Sequence, residues 1–153
     1  MTRLSRETIH MFTAYLWGMR STCKRPDSEI GCVITTSDMK RILSIGYNGG
    51  PKQLPNDSCR NTVGSCGCAH AEANAITMVD GTIPDKVLFV VKQPCLICAT
   101  LITHANISTV YYDQPYRKQD GIELLRKCGI QTYHMDLPCS MEINFCSELK
   151  VVS

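Results

Sequence analysis

One segment of the sequence decides the fold: it opens with His70-Ala71-Glu72-Ala73-Asn74 and closes with Pro94-Cys95-Leu96-Ile97-Cys98. The alanine-rich opening predicts a helix over residues 70–79, and an unbroken apolar run predicts a short buried strand over residues 86–92. The cysteine pair then begins a second helix over residues 95–104. The segment is therefore a helix–strand–helix unit of the kind that builds α/β proteins, with reactive side chains at the start of both helices.

The flanking sequence supplies the other elements of an α/β domain. Apolar residues at helical spacing predict an opening helix, and two runs rich in isoleucine and valine predict a β-hairpin. A long loop dense in glycine, proline, asparagine and cysteine follows the hairpin. The opening helix is predicted over residues 5–20, the two hairpin strands over 29–36 and 41–47, and the loop over 48–67. A strand, a helix and a final strand are predicted over residues 109–113, 121–127 and 130–135. We expect one three-layer α/β domain over residues 1–153, with its core at about 5–135 and a peripheral tail at 136–153.

The composition is that of a globular protein and argues against several classes of function. Of 153 residues, 44% are hydrophobic and 20% are charged, which is unlike a disordered chain. No apolar run approaches the roughly 20 residues that cross a bilayer. The first residues lack the apolar stretch of a secretory signal, so we expect a cytoplasmic location and no membrane partner. The net charge of +2 comes from scattered basic pairs, which disfavours a polynucleotide and favours a small anionic ligand.

The chain has ten cysteines, a count that needs a chemical explanation. In a reducing compartment, clustered cysteines indicate a metal more often than disulfides. Cys32 lies in an apolar run and Cys128 late in a helical pattern, so both are interpreted as small buried side chains. Cys139 and Cys146 lie in the tail and have no assigned role. The remaining six are Cys23, Cys59, Cys66, Cys68, Cys95 and Cys98.

His70, Cys95 and Cys98 form a candidate catalytic zinc site. One imidazole and two thiolates suit zinc, and three protein ligands leave a fourth position open for water. Cys95 and Cys98 are three residues apart, which places both sulfurs on one face of a helical turn that Pro94 begins. Glu72 is two residues from His70, about 200° around a helix, so the two side chains converge only if His70 stands at the helix entrance. Glu72 could then accept the proton of the bound water.

Each of these patterns alone has other interpretations. A Cys-x-x-Cys pair also fits a redox dithiol or a structural zinc site, and a His-x-Glu pair alone says little. Together, on two helix starts separated by one strand, they favour catalysis. The loop offers a second hypothesis: it has few large apolar residues, and four thiolates could hold it through a structural zinc ion. These thiolates would come from Cys23, Cys59, Cys66 and Cys68.

At these residues the sequence resembles the cytidine deaminase superfamily, which carries a His-x-Glu and Pro-Cys-x-x-Cys signature. The first ligand is His70, whereas deaminases of free nucleosides typically use cysteine there. Over roughly residues 8–135 the closer resemblance is to the deoxycytidylate deaminase family. The stretches that carry it are Gly46-Tyr47-Asn48-Gly49, His70-Ala71-Glu72-Ala73-Asn74-Ala75-Ile76, and Tyr111-Tyr112-Asp113-Gln114-Pro115-Tyr116-Arg117 followed by Glu123-Leu124-Leu125.

The resemblance implies a fold, a reaction and a set of contacts. The fold is a three-layer α/β/α cytidine-deaminase-like domain with a central mixed five-stranded sheet. The reaction is the hydrolytic deamination of dCMP to dUMP with release of ammonia, a step of pyrimidine deoxynucleotide supply, in which Glu72 moves the proton. The implied contacts to the nucleotide come from Asn48, Ala71, Asn74, Tyr116 and Arg117. Asn48 also fits a simple turn residue, and Tyr116 with Arg117 also fits an ordinary surface corner.

The same resemblance implies regulation and assembly. Deoxycytidylate deaminases are commonly homohexamers that dCTP, with Mg²⁺, activates and dTTP inhibits, through a site near the loop after Gly46–Gly49. The sequence departs from the family pattern at Gly67-Cys68-Ala69, where many members carry Arg-Thr, and the approach to the first strand is longer. Three alternatives stay open: another cytosine nucleotide as substrate, a base in RNA as substrate, and a non-enzymatic zinc module, against which the presence of Glu72 argues.

Overall fold

The computed structural model describes residues 3–137; residues 1–2 and 138–153, with Cys139, Cys146 and most of the predicted tail, lie outside this range. The nine elements of the described part follow the predicted order. They are α1 (Arg6–Gly18), β1 (Gly31–Thr35), β2 (Ile42–Tyr47), α2 (Ala71–Ile76), β3 (Lys86–Lys92), α3 (Leu96–Thr103), β4 (Ile107–Gln114), α4 (Asp120–Lys127) and β5 (Gln131–His134).

The five strands form one mixed sheet in the order β2-β1-β3-β4-β5. β1 pairs antiparallel with β2 and with β3, so the predicted hairpin is present. β3, β4 and β5 run parallel because α3 and α4 return the chain to the same end of the sheet before each new strand begins. The carboxyl ends of the parallel strands therefore lie together at one edge, where α/β sheets commonly bind ligands.

Helices cover both faces of the sheet. On one face, Met11 and Ala14 of α1 pack against Val33 and Phe89 of the central strands. On the other face, α2, α3 and α4 bury their apolar side chains against the same strands and against each other. These residues are almost wholly shielded from solvent. The predicted three-layer α/β/α arrangement around a mixed five-stranded sheet is confirmed.

Element ends differ from the prediction by up to three residues, and two of these differences have a clear structural cause. α2 ends at Ile76 rather than at residue 79, because the amide of Met78 turns back to the carbonyl of Ala75 and tightens the last turn. β4 begins at Ile107, two residues early, because Ile107 pairs with Lys86 of β3 and is buried there. Among residues 3–137, no helix has the length and apolar character needed to span a bilayer. The cytoplasmic location stays a prediction.

Gly46 of β2 is where the strand meets α2 most closely, and its substitution gives a stability test. A Cβ atom on Gly46 would lie 2.2 Å from the carbonyl oxygen of Ala71 and 2.6 Å from the amide nitrogen of Ala75. Because both neighbours are backbone atoms, we expect Gly46→Ala to lower the free energy of unfolding by about 1–3 kcal/mol. Gly81→Ala is the matched control, since a Cβ atom there has nothing within 4 Å. Urea titrations that gave the two variants equal midpoints would contradict this close packing.

Candidate active site

His70 and Cys95 occupy equivalent positions at the entrances of two helices. His70 is the residue before α2, with an extended backbone of φ −73° and ψ 158°. Cys95 is the residue before α3, with φ −72° and ψ 170°. Helix α3 therefore begins at Leu96, one residue later than the sequence pattern indicated, and Cys98 lies in its first turn. The position of His70 is the one that the two-residue spacing to Glu72 requires.

The three side chains meet between these helix starts. Nδ1 of His70 lies 3.6 Å from Sγ of Cys95 and 3.4 Å from Sγ of Cys98, and all three ligand atoms lie within 4.8 Å of one another. Tetrahedral zinc with ordinary bond lengths sets a nitrogen-to-sulfur separation of about 3.6 Å. The residues present therefore fit a zinc ion with three protein ligands and one further coordination position.

Hydrogen bonding among the three side chains shifts their protonation. The hydrogen bond from Cys98 lowers the pKa of Cys95 to about 4 despite partial burial, and the same contact raises the pKa of Cys98. The pKa of His70 is raised, chiefly by its hydrogen bond to Cys95. Without a metal ion, Cys95 is thus the more readily ionised of the two thiols.

Glu72 is buried beside this trio. Its side chain is only 4% exposed, and it contacts Cys98. Burial raises its pKa to about 7, because the charged carboxylate loses water, while its own backbone amide and His70 partly oppose that rise. A carboxyl group with a pKa near 7 can both accept and donate a proton at neutral pH, which suits a general acid–base.

The predicted nucleotide contacts Asn48, Ala71 and Asn74 lie together where β2 meets α2. Oδ1 of Asn48 accepts the amide proton of Ala71 at 2.9 Å, so this buried side chain holds the first residue of α2. Nδ2 of Asn74 donates to the carbonyl of Tyr47 at 2.8 Å. These atoms fix the start of α2 against the sheet, and with it His70. The sequence assigned Asn48 and Ala71 to the nucleotide and did not predict this hydrogen bond between them.

Tyr116 and Arg117 lie in the loop after β4, at the same sheet edge as Cys95. Tyr116 is half-buried and Arg117 is exposed. Gln93, a buried residue at the end of β3, anchors this loop: its Nε2 donates to the carbonyl of Lys118 at 2.9 Å, and its Oε1 accepts from the amide of Tyr116 at 3.5 Å. Gln93 was missed in the sequence because a single glutamine after an apolar run carries no recognisable pattern.

The structure also brings together the four cysteines for which the sequence suggested a structural zinc site. The Sγ atoms of Cys23, Cys59, Cys66 and Cys68 all lie within 4.8 Å of one another, in a group separate from His70, Cys95 and Cys98. We call this group the four-cysteine cluster. Within residues 3–137 these two groups are the places where three or more candidate metal ligands converge.

The fold and the first site define a class of protein: an α/β/α domain in which three side chains that fit zinc, and a buried carboxyl group, lie at the entrances of two helices. Residues 5–114 match the model of the cytidine and deoxycytidylate deaminase zinc-binding region. The chain belongs to this deaminase family, as its sequence motifs indicated.

Two curated relatives and one solved structure show the extent of the likeness. The deoxycytidylate deaminase of Saccharomyces cerevisiae is 32% identical over 143 residues, which are 85% of this chain and 45% of the yeast protein. ComE operon protein 2 of Bacillus subtilis is 31% identical over 145 residues, with coverages of 90% and 75%. The dCMP deaminase of cyanophage S-TIM5, solved in complex with dCMP and dUMP, superposes with a TM-score of 0.76 at 30% identity, over 88% of this chain and all of that one. The chain spans less than half the length of the yeast relative.

Proposed function

We propose that this protein is a zinc-dependent hydrolase that converts dCMP to dUMP and ammonia. The observation that carries the proposal is the burial of Glu72 beside three side chains whose spacing suits zinc. A structural zinc site needs no carboxyl group beside it, whereas hydrolysis needs a group that moves protons. The solved relative in complex with dCMP and dUMP supports the choice of substrate.

The side chains have separate roles in this reaction. His70, Cys95 and Cys98 hold the metal, which when bound supplies a Lewis acid that lowers the pKa of water. Glu72 accepts a proton from the attacking water, delivers it to the pyrimidine ring, and assists the departure of ammonia from C4. Water supplies the oxygen of the new carbonyl group, so dCMP and water give dUMP and ammonia.

Substrate recognition is assigned to the sheet edge around the metal site. On the family resemblance, Asn48, which follows β2, and Asn74 of α2 are assigned to the sugar–phosphate side of the nucleotide, and Ala71 is assigned to nucleotide binding as well. Tyr116 and Arg117 close over the nucleotide from the loop that Gln93 anchors. Because Arg117 is exposed, its guanidinium is available to the 5′-phosphate.

Arg117 gives a test of the nucleotide substrate. A charge-assisted contact is worth about 1.5–3 kcal/mol, so we expect kcat/KM for dCMP to exceed that for deoxycytidine by about 10–150-fold. Arg117→Ala should remove most of that difference and leave the turnover of deoxycytidine unchanged. Lys127→Ala, an exposed cation on α4, is the matched control. Deamination followed over a panel of dCMP, dCTP, CMP, deoxycytidine and a tRNA substrate would reject the proposal if another member were preferred to dCMP.

The proposal extends to a homo-oligomer, of which a hexamer is the expected form. β2 lies at an edge of the sheet in the described part of the chain. Beside it is a cavity of about 580 Å³ whose lining includes Tyr47, Gly50 and Lys52. Leu54 and Met78 also line it and are 53% and 63% exposed. Exposed apolar side chains at a sheet edge support a subunit contact. The cavity, with Lys52 as its cation, suits an effector such as dTTP or dCTP with Mg²⁺ in the loop after Asn48.

Assembly and regulation are tested together by two measurements. We expect light scattering to give a mass well above the 17.0 kDa of one chain. We expect dCTP to shift the dCMP saturation curve to lower concentration and dTTP to shift it to higher concentration, because two sites coupled through subunit contacts change each other's affinity. A mass near that of one chain would reject the oligomer, and superimposable curves would reject the regulation.

A further inference from the structure

The four-cysteine cluster has the spacing of a metal site rather than of disulfides. Sγ of Cys23 lies 3.8 Å from Sγ of Cys59, and each of the four sulfurs lies within 4.8 Å of every other. Two thiolates on a tetrahedral zinc ion stand about 3.8 Å apart, whereas the sulfurs of a disulfide are bonded at about 2.05 Å. Four sulfurs that meet at one point fit a single tetrahedral ion.

The backbone around the cluster is shaped to direct the sulfurs inward. Cys59 accepts hydrogen bonds from the amides of Lys24 at 3.3 Å and Asn61 at 3.4 Å, which stabilise a thiolate. Asn61 and Gly67 have positive φ angles of 54° and 83°. Gly67 stands between Cys66 and Cys68, and its left-handed conformation turns the chain so that both neighbours contribute to the same cluster.

The surrounding loop has no apolar core of its own. Of residues 51–70, Cys59 and Cys66 alone are buried, and the others are exposed or half-buried. Val63 is 76% exposed and Leu54 53%. A loop of this length needs some interaction to hold it in place, and here the buried groups are sulfurs. Burial of thiols alone offers little stabilisation, whereas metal coordination fixes such segments strongly.

The cluster joins two segments that flank the candidate active site. Cys23 follows Thr22, whose amide donates to the carbonyl of Asn48 at 3.1 Å. At the other end, Cys68 precedes Ala69, which pairs with Gly49 through hydrogen bonds of 2.8 and 3.2 Å. His70 follows directly. The cluster therefore lies where it can fix the approach of the chain to α2.

We propose that Cys23, Cys59, Cys66 and Cys68 bind a second zinc ion, which takes no part in the chemistry and holds the loop of residues 51–69 against the segment after α1. Arg25 contacts Cys66, which offsets part of the negative charge of four thiolates around a divalent ion. The four ligands complete a tetrahedron and leave no position for water, which is the pattern of a structural site.

Native mass spectrometry of protein purified anaerobically with zinc tests this assignment. We expect two zinc ions per chain in the wild type, one in the Cys59→Ser/Cys66→Ser variant, one in His70→Ala, and none when all three substitutions are combined. Cys128→Ser should keep both ions, because Cys128, which the sequence pattern wrongly placed among buried side chains, is exposed at the C-terminal end of α4. One zinc ion in the wild type that the Cys59→Ser/Cys66→Ser pair leaves in place would overturn the proposal. Should the candidate active site instead bind no metal, His70→Ala would match the wild type while the cysteine pair still lost one ion.

Two readouts keep the test independent of catalysis and of folding of the cysteine variant. In the His70→Ala chain loaded with cobalt, four thiolate ligands should give intense sulfur-to-metal charge-transfer absorption. Removal of the metal should also speed trypsin cleavage after Arg60, an exposed residue of the loop. Cobalt spectra without that absorption, or a chain whose four thiols are paired as disulfides after anaerobic purification, would contradict the assignment.

Discussion

Replacement of Glu72 with glutamine should lower kcat for dCMP by about 10²–10⁴-fold and leave the catalytic zinc bound, because a general acid–base contributes rate enhancement of that size. Glutamine matches the shape of glutamate and keeps hydrogen-bonding capacity, but it cannot take a proton from water. Since Glu72 is buried beside Cys98 without being one of the three candidate metal ligands, the loss of rate should not be accompanied by loss of metal.

The control for this substitution is Glu123→Gln, an exposed carboxylate on α4 whose replacement should change neither rate nor metal content. Steady-state kinetics and zinc analysis on the same preparations separate the two effects. Glu72→Gln protein that turned over dCMP at the wild-type rate would remove the proton-transfer role from this residue.

His70→Ala should remove the metal itself and reduce turnover to background, an effect at least as large as that of Glu72→Gln. His70 supplies the one nitrogen ligand, and the two remaining sulfurs lie on a single helix start and cannot enclose the ion alone. His104→Ala is the matched control, since His104 is exposed at the other end of α3. Circular dichroism should show both variants folded.

Loss of one zinc ion together with loss of activity in His70→Ala is the result that a three-ligand site predicts. Zinc analysis of His70→Ala should give one ion per chain fewer than the wild type, and added zinc should not restore activity. Full zinc content with lost activity would instead place His70 in the reaction rather than on the metal.

The candidate active site was predictable from sequence because local geometry determines it. His70 and Glu72 are two positions apart, a spacing at which they can converge only if His70 stands at a helix entrance, and the structure places His70 there. Cys95 and Cys98 are held by one helical turn, so their spacing alone brings the sulfurs together. The alternation of helix and strand likewise predicted the layers of the fold.

The parts that sequence did not determine depend on contacts between distant segments. Cys23 and Cys59 are 36 residues apart, so the sequence offered a shared metal site only as a hypothesis, and the fold is what brings their sulfurs to 3.8 Å. Gln93 carries no local signature, and its importance follows from the parallel pairing that places β3 beside the loop after β4. The engagement of Asn48 with the amide of Ala71 also required the packing of β2 on α2.

Incubation with dCMP in ¹⁸O-labelled water tests the central claim most directly. We expect the purified zinc protein to form dUMP and ammonia in equal amounts, with labelled oxygen in the uracil base, because water supplies the oxygen at C4 in a hydrolytic deamination. Chelation of the catalytic zinc should stop the reaction, and added zinc should restart it. Unchanged dCMP in the presence of protein with a full zinc site, or dUMP without the label, would contradict the account.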